Sequence, residues 1–410
     1  MKLDIKFWLK FSFVNLTIVA LLGALMRYKI GFEFPYFNQK NLLHSHSHFA
    51  FAGWVSHTIM ILMVYYLKTK IENFKSQRYN KIIIVNLICA YGMLISFIAQ
   101  GYAAISIFFS TLSIVVSFVF GYQYFKDLKK IDADNLANSW FKAAIVFNII
   151  SCIGTFYLAY MMMSKNVIQD LYLASIYYYL HFQYNGWFFF GIMGLFLGYL
   201  NLKKSDYPSL KLVYILLASS CVPAYFLSTL WLALPMWLYA LTAISSVVQV
   251  YAWFKFLIFL KQNKSDFLKN YSSLFRNIIL FVGLCLSLKF LLQLGSTIPA
   301  LSKLAFGFRP IVIAYLHLIL LAIISLFLLY YIMVNHFILV TKKIKTGISI
   351  FTFGVILNEA VLAIQGIAAF SYTIIPKVNE MLFVAAIILF LGMGFTSIQV
   401  LKKSKINPLL

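Results

Sequence analysis

Charged residues are scarce in this 410-residue chain, and acidic residues are the scarcest of them. Only 11% of the residues are charged, 62% are hydrophobic, and Asp and Glu together number 11. A soluble domain has an apolar share nearer one half, because it must present a polar surface to water. The composition therefore excludes a soluble globular protein and predicts an integral membrane protein.

Cysteine is also rare, and its placement excludes several kinds of site. The four cysteines all lie inside apolar stretches, and no Cys-x-x-Cys pair occurs. This pattern argues against disulfides and against a structural zinc site. The absence of a Cys-x-x-Cys-His motif further excludes covalently attached c-type haem.

Acidic residues are missing from the apolar stretches, with Glu359 as the one that lies deep inside such a stretch. Hard cations and di-iron centres are bound mainly by carboxylates, so both kinds of site are disfavoured. Glu359 is a candidate element of a proton path. The alternative is a hydrogen-bonded structural glutamate that stays neutral.

The chain does contain many apolar runs, each of about the 20 residues needed to cross a bilayer. They predict an all-α polytopic membrane protein with twelve transmembrane helices. The short connections leave little room for a soluble domain, so we expect a single membrane domain over residues 1–410. The runs lie near residues 7–28, 44–67, 80–100, 102–125, 139–163, 171–201, 211–230, 235–260, 277–294, 309–334, 347–371 and 381–401.

The net charge of +23 follows the predicted topology and does not indicate a nucleic-acid partner. With the N-terminus in the cytoplasm, all but eight of the 34 Lys and Arg residues fall on the cytoplasmic side, as the positive-inside rule requires. Both termini are therefore predicted to be cytoplasmic, with membrane lipid as the surrounding partner. Residues 1–10 resemble a signal-peptide n-region, but no small-residue cleavage site follows, so we expect an uncleaved first span. The eight exceptions are Arg27, Lys29, Lys40, Lys165, Lys289, Lys303, Arg309 and Lys377.

Histidine recurs at nearly equal intervals along the chain. The segments HFAFAGW from His48, HFQYNGW from His181 and HLILLAI from His317 follow one another after about 135 residues, and the first two share His-Phe-x-x-x-Gly-Trp. Self-similarity at a fixed period indicates a repeated architectural unit. It predicts three pseudo-threefold four-helix arcs, approximately 1–132, 133–268 and 269–410. Each arc then has its histidine on its second helix, in the outer half of the bilayer.

Residues 44–57 read HSHSHFAFAGWVSH and contain four of the seven histidines. At about 100° per residue, His44 and His48 share one helix face, and His46 and His57 share the opposite face. Intramembrane histidines are candidates for function, and imidazole is the commonest metal ligand. Without nearby thiolates or carboxylates, such a set favours haem or copper. The alternatives are hydrogen bonding to a neighbouring helix and, for His44, solvation at the interface.

Haem would also need cations for its propionates. Four residues on the predicted outer side could provide them: Arg27, Lys40, Lys289 and Arg309.

The segment HSHSHFAFAGWV resembles the haem-ligating helix of the haem-copper oxidase superfamily catalytic subunit, also called cytochrome oxidase subunit I. This superfamily includes the nitric oxide reductase large subunit and the cbb3-type oxidases, which have twelve spans in three arcs. The resemblance implies non-covalently bound haem b, with His46 and His48 as ligands by motif. By helix position it implies His48 or His44 paired with His317, and it makes His181 a metal ligand. His57 is a further metal candidate.

Two departures from the family pattern affect the copper site. The His-x-His motif lies on the second predicted span instead of the tenth, and residues 211–230 contain no histidine where the family has a His-His pair. The resemblance therefore implies a haem protein with an incomplete copper site. It implies an oxidoreductase of a bacterial inner membrane, related to nitric oxide reductases or terminal oxidases, that acts on a small diatomic gas and receives electrons from a cytochrome or quinol donor subunit.

Two alternatives stay open at this stage. The first is an NnrS-like haem-and-copper membrane protein of nitric oxide metabolism, which shares twelve spans and outer-side histidines. The second, from another class, is a metal-ion or proton-coupled transporter whose histidines bind the ion or relay protons.

Overall fold

A computed structural model of the protein describes residues 3–263, 268 and 271–402. Within these residues the fold is all-helical and has no β-strand. One isolated antiparallel β-bridge joins Asn135 to Lys203. The C-terminal residues 403–410, which the charge pattern predicts to be cytoplasmic, lie outside the described residues.

The helices follow the predicted apolar runs closely. Short non-α segments interrupt four of the predicted spans: three π-helical segments, named π1 to π3 here, and one 3-10 segment. The elements are α1 (Ile5–Gly31), α2 (Gln39–Phe49), π1 (Ala50–Ser56), α3 (His57–Lys70), α4 (Gln77–Gln100), α5 (Ala104–Leu128), α6 (Leu136–Met163), α7 (Gln169–His181), π2 (Phe182–Phe188), α8 (Phe189–Leu200), α9 (Pro208–Cys221), the 3-10 segment (Pro223–Thr229), α10 (Met236–Asn263), α11 (Ser273–Gly295), α12 (Pro299–Gly307), α13 (Arg309–His317), π3 (Leu318–Ser325), α14 (Leu326–Val334), α15 (Lys342–Phe370) and α16 (Val378–Lys402).

The described helices are those of a multi-pass membrane protein. Ten helical segments are long and apolar enough to cross a membrane, and α9 with its 3-10 continuation makes an eleventh if this pair, bent by 45°, is one span. The remaining predicted span, near 171–201, is helical throughout, but it is not among these eleven. Its centre contains the polar residues Gln183 and Asn185. The count of twelve is therefore not confirmed.

The chain forms two compact units. The first unit comprises Met1–Tyr124 and Ser325–Leu410, and the second comprises Phe125–Ile324. The predicted arrangement of three four-helix arcs is not confirmed by this division and stays a prediction.

In the first unit the N-terminal helix α1 packs against the C-terminal helix α16, which in turn packs against α15. The α15–α16 crossing is close, because a Cβ atom added to Gly392 would lie 2.6 Å from the backbone nitrogen of Phe351. Between α1 and α16, the Ser397 hydroxyl donates to the Phe13 carbonyl at 2.9 Å. Small residues and interhelical hydrogen bonds of this kind are how helices associate in membranes.

In the second unit α6 packs against both α7 and α8, so that the second repeated histidine lies on a helix held along its length. The connections at one end of these helices are also joined. Leu136 donates its backbone N–H to the Leu202 carbonyl at 3.1 Å, and Lys204 donates to the Asp134 carbonyl at 2.8 Å. The Asp134 carboxylate accepts from the Ser205 hydroxyl at 2.6 Å and from its backbone N–H at 3.0 Å.

Candidate functional site

All three repeated histidines stand at the start of a π-helical segment. His48 lies two residues before π1, and His181 and His317 directly precede π2 and π3, which are seven, seven and eight residues long. Well under 1% of residues in proteins are π-helical, and such segments concentrate at functional sites. The sequence period is therefore also a period in backbone geometry, which marks these three positions as the candidate site.

The neighbouring side chains explain how the first π segment is accommodated. Asn15 donates to the Gly53 carbonyl at 2.6 Å, and Asn86 donates to the Ala52 carbonyl at 3.3 Å. Tyr91 holds Asn15 in place by donating to its side-chain oxygen at 2.9 Å. Backbone groups inside a membrane need such partners, because no water is present to replace a lost helical hydrogen bond.

The glycine of the His-Phe-x-x-x-Gly-Trp motif is required by close packing in both copies. A Cβ atom on Gly53 would lie 2.8 Å from the ring of Phe49, and one on Gly186 would lie 2.5 Å from Cβ of Phe147. Both distances are shorter than any normal carbon contact. The shared motif thus encodes a helix that packs tightly immediately after its histidine.

His44 and His48 share one face of α2, as their spacing predicts. The His48 ring stacks on Phe97 with centroids 4.4 Å apart, and its Nε2 lies 3.0 Å from the Tyr102 hydroxyl. The His44 ring meets the Tyr102 ring edge-on at 4.6 Å. Both histidines are half-buried. They form a single aromatic cluster with one hydroxyl group at its centre.

His46 and His57 both contact α1, which agrees with the shared opposite face. Cε1 of His46 lies 3.5 Å from the position that a Cβ atom on Gly23 would take. His57 is fully buried, meets Trp8 edge-on with centroids 6.1 Å apart, and lies 3.5 Å through Nδ1 from the Asn86 side chain. Their assignment as haem and metal ligands stays a prediction.

His181 is held by both ring nitrogens. Its Nε2 lies 2.9 Å from the Cys221 carbonyl, and its Nδ1 lies 3.1 Å from Nδ2 of Asn185. A carbonyl can only accept, so Nε2 donates the proton and Nδ1 accepts from Asn185. The ring therefore has no lone pair left for a copper ion as it stands, and it bridges α7 to the point where α9 bends before Pro223.

His317 has a different environment at the end of α13. Its Nδ1 lies 2.9 Å from the Ile313 carbonyl one turn earlier, so Nδ1 has the proton and Nε2 is the acceptor nitrogen. This backbone contact is a usual way of orienting a ligand histidine. Arg309 begins the same helix and is exposed. The predicted pairing of His48 with His317 joins residues of different units and stays a prediction.

A small cavity in the second unit brings two of the π segments together. It leaves room for about one water-sized molecule. Residues from π2, π3, α8 and α11 line it. They are Tyr184, Asn185, Phe189, Ile192, Leu286, Lys289, Ile319, Ile323 and Ile324.

Lys289 is the functional candidate whose position the sequence reasoning missed. The sequence predicts that Lys289 lies on the outer side, where it could pair with a haem propionate. In the structure it lies within α11, and only 3% of the residue is exposed. Its Nζ lies 4.0 Å from the ring centroid of Phe290 and 5.6 Å from that of Phe189. The described part of the chain offers it no ion pair. A lysine within the apolar run 277–294 is itself the sign that could have revealed it.

The assignment of the predicted residues to a metal centre stays a prediction. Across residues 3–263, 268 and 271–402, no three His, Cys, Asp or Glu side chains form a group that could hold a metal ion. Glu359 lies on α15 and accepts from its neighbour Asn358 at 3.1 Å. Its role in a proton path stays a prediction.

Comparisons with protein-family models and with curated proteins find no match to this chain.

Proposed function

We propose that this chain is a haem-binding integral membrane protein with a redox function, as the resemblance to cytochrome oxidase subunit I implies. The observation that supports it is the coincidence of each repeated histidine with a π-helical segment. A histidine alone in a membrane helix is explained by hydrogen bonding. Three histidines at equivalent places, each beside a rare backbone geometry, indicate a repeated functional architecture, in which His48 and His317 are the candidate haem ligands.

The side chains present fit haem better than copper. His317 has its Nδ1 proton directed to a carbonyl, which is a usual way of orienting a ligand histidine. His48 has an aromatic neighbour, Phe97, of the kind that lines a haem slot. His181 has both nitrogens engaged, and no histidine lies near it on α9. Bound haem would supply one-electron chemistry, and the protein's part would be to ligate and shield it.

The finer features of this proposal follow the same resemblance. They are twelve spans in three arcs, a bacterial inner membrane location with both termini cytoplasmic, a small diatomic gas as the ligand, and a cytochrome or quinol donor. Whether the chain is an oxidoreductase depends on whether that gas is reduced or only bound.

Optical spectra of the purified protein test the proposal. We expect a Soret band and sharp reduced-minus-oxidised bands, and we expect His48→Ala and His317→Ala each to remove most of the haem. His336→Ala is the matched control, because His336 lies in the turn after α14 and is not a repeated histidine. A wild-type protein that is folded, supplied with haem during expression and still without a Soret band would contradict the proposal.

A second candidate, an ion-coupled transporter, is favoured by two features of the second unit. The bent pair formed by α9 and its 3-10 segment is a broken helix, and Lys289 is a buried charge in the same unit. Broken helices and buried charges mark binding sites in transporters. Uptake of a metal ion or of protons into proteoliposomes by haem-free protein would favour this candidate over the first.

A further inference from the structure

The orientation of the Asn185 side chain is fixed by its neighbours. The Cys221 carbonyl accepts from Nε2 of His181, so Nδ1 of His181 must accept, and Asn185 must present its amino group to it. A flipped amide would place two acceptors together. Oδ1 of Asn185 is therefore directed away from His181, and this buried atom has no hydrogen-bond donor among the residues that the structure describes.

This orphaned oxygen belongs to a residue that lines the cavity and is only 4% exposed. A buried polar atom without a partner costs about 1–3 kcal/mol, so such atoms are usually satisfied by a water or a ligand. Asn185 thus indicates that something with a donor group occupies the cavity.

Lys289 lines the same cavity, and its side chain is a hydrogen-bond donor, whereas Oδ1 of Asn185 is an acceptor. Its ammonium group has three donors, and it lies over two aromatic rings, those of Phe189 and Phe290. The rings of Phe189 and Phe290 stabilise a positive charge, but they accept no conventional hydrogen bond. Lys289 thus indicates that the occupant also has an acceptor.

Size and chemistry together limit the occupant. The space fits about one water-sized molecule. A halide ion would accept from Lys289, but it has no proton for Oδ1 of Asn185 and would be repelled by it. Water both accepts and donates, and so does any neutral hydroxylic molecule of similar size.

We propose that the cavity is a binding site for one small hydroxylic molecule, water in the resting protein, which accepts from Nζ of Lys289 and donates to Oδ1 of Asn185. Every hydrogen bond then runs in one direction, from Lys289 through the water and Asn185 to His181 and on to the Cys221 carbonyl. Bonds aligned in this way strengthen one another. The site links the one buried lysine of the cavity to the second repeated histidine, and it does not depend on haem.

High-resolution density of the unmodified protein tests this site directly. We expect one ordered water within hydrogen-bond distance of both Lys289 and Asn185. A second data set from protein exchanged into bromide should show no anomalous peak there. An empty cavity, or a bromide peak beside Lys289, would overturn the proposal.

A double-mutant cycle of thermal unfolding provides an independent test. We expect Lys289→Met and Asn185→Leu each to lower the unfolding temperature, and the double variant to lower it by clearly less than the sum, because both bond to the same water. The control cycle combines Lys289→Met with Asn148→Leu. Asn148 accepts from Gln183 at 2.8 Å and does not line the cavity, so these effects should add. Additivity in the Asn185 cycle would count against a shared water.

Discussion

The first and second copies of the His-Phe-x-x-x-Gly-Trp motif have the same backbone but different histidine environments. Both histidines precede a seven-residue π segment, and both motif glycines are required by packing. His48, however, is half-buried against Phe97 and reaches one hydroxyl, whereas His181 is fully buried and hydrogen-bonded through both nitrogens.

This difference shows that the motif determines the helix geometry, whereas the neighbouring helices determine which groups contact the histidine. In the first unit the face of His48 meets aromatic rings, which a planar ligand could replace. In the second unit the bend at the end of α9 presents the Cys221 carbonyl, which fixes the tautomer of His181. A repeated histidine is thus a ligand candidate in one copy and an anchor in the other.

The largest expected effect separates these two roles. His48→Ala should lower the haem content per protein by tenfold or more, since even second-shell changes cost about 10–100-fold in affinity. His181→Ala should leave the haem content within about twofold of wild type. The measurement is the pyridine haemochrome spectrum of purified protein, normalised to protein concentration.

The opposite order of haem loss would contradict the roles assigned to His48 and His181. If His181→Ala lost the haem while His48→Ala kept it, the hydrogen bonds of His181 in this structure would belong to a form that rearranges when the ligand binds.

The next effect concerns stability. His181→Phe should cost about 2–4 kcal/mol of unfolding free energy, because it leaves the Asn185 amino group and the Cys221 carbonyl buried without a partner. His48→Phe should cost less than about 1 kcal/mol, since its ring keeps the stack on Phe97. Chemical unfolding of haem-free protein in detergent measures both. Equal costs would indicate that His181 is not an anchor.

The motif glycines differ in how much room their neighbours can make. Gly186→Ala should cost about 1–3 kcal/mol, because its new Cβ meets Cβ of Phe147, which cannot move without its backbone. Gly53→Ala meets the outer ring atoms of Phe49, which can rotate away, so its cost should be smaller. Unfolding of the two single variants under identical conditions gives the ranking. A larger cost at Gly53 would show that the first π segment is the more tightly packed.

Hydropathy predicted the fold class and almost every helix, because crossing a bilayer imposes a length and a composition that any sequence must show. The same reasoning placed Lys289 at the interface, since a count of apolar residues says little about depth. The π segments were not predicted, because the same residues form an α-helix unless neighbours such as Asn15 and Asn86 take up the carbonyls.

Within the candidate site, helical spacing predicted correctly that His44 and His48 share a face, because both lie within the regular helix α2. The role of His181 could not be read in this way. It depends on Cys221, 40 residues later, and on a helix bend that is a property of the folded chain.

The smallest expected effect concerns the connections at the far ends of the two histidine helices, one joined through a charged carboxylate acceptor and the other through a neutral hydroxyl acceptor. After α3, the Ser76 hydroxyl accepts from the backbone N–H of Leu3 at 3.1 Å. After α8, the Asp134 carboxylate accepts twice from Ser205. The hydroxyl of Ser205 is the main cause that lowers the pKa of Asp134, and Lys203 and Lys204 contribute to it.

A lowered folded-state pKa gives a contribution to stability that is fully present above the ordinary aspartate value of about 3.9 and is lost as the pH falls through the lowered pKa. Asp134→Asn should therefore reduce the unfolding temperature slightly near neutral pH, and the difference from wild type should vanish in acid. Ser205→Ala raises the folded-state pKa of Asp134 back towards its ordinary value, so less stability is left to lose and acid should weaken that variant less than wild type. Ser76→Ala should leave the acid dependence unchanged, since no titrating group takes part in its hydrogen bond. If the unfolding temperatures of Ser205→Ala and wild type depended on pH identically, the Asp134–Ser205 hydrogen bonds would not stabilise the connection after α8.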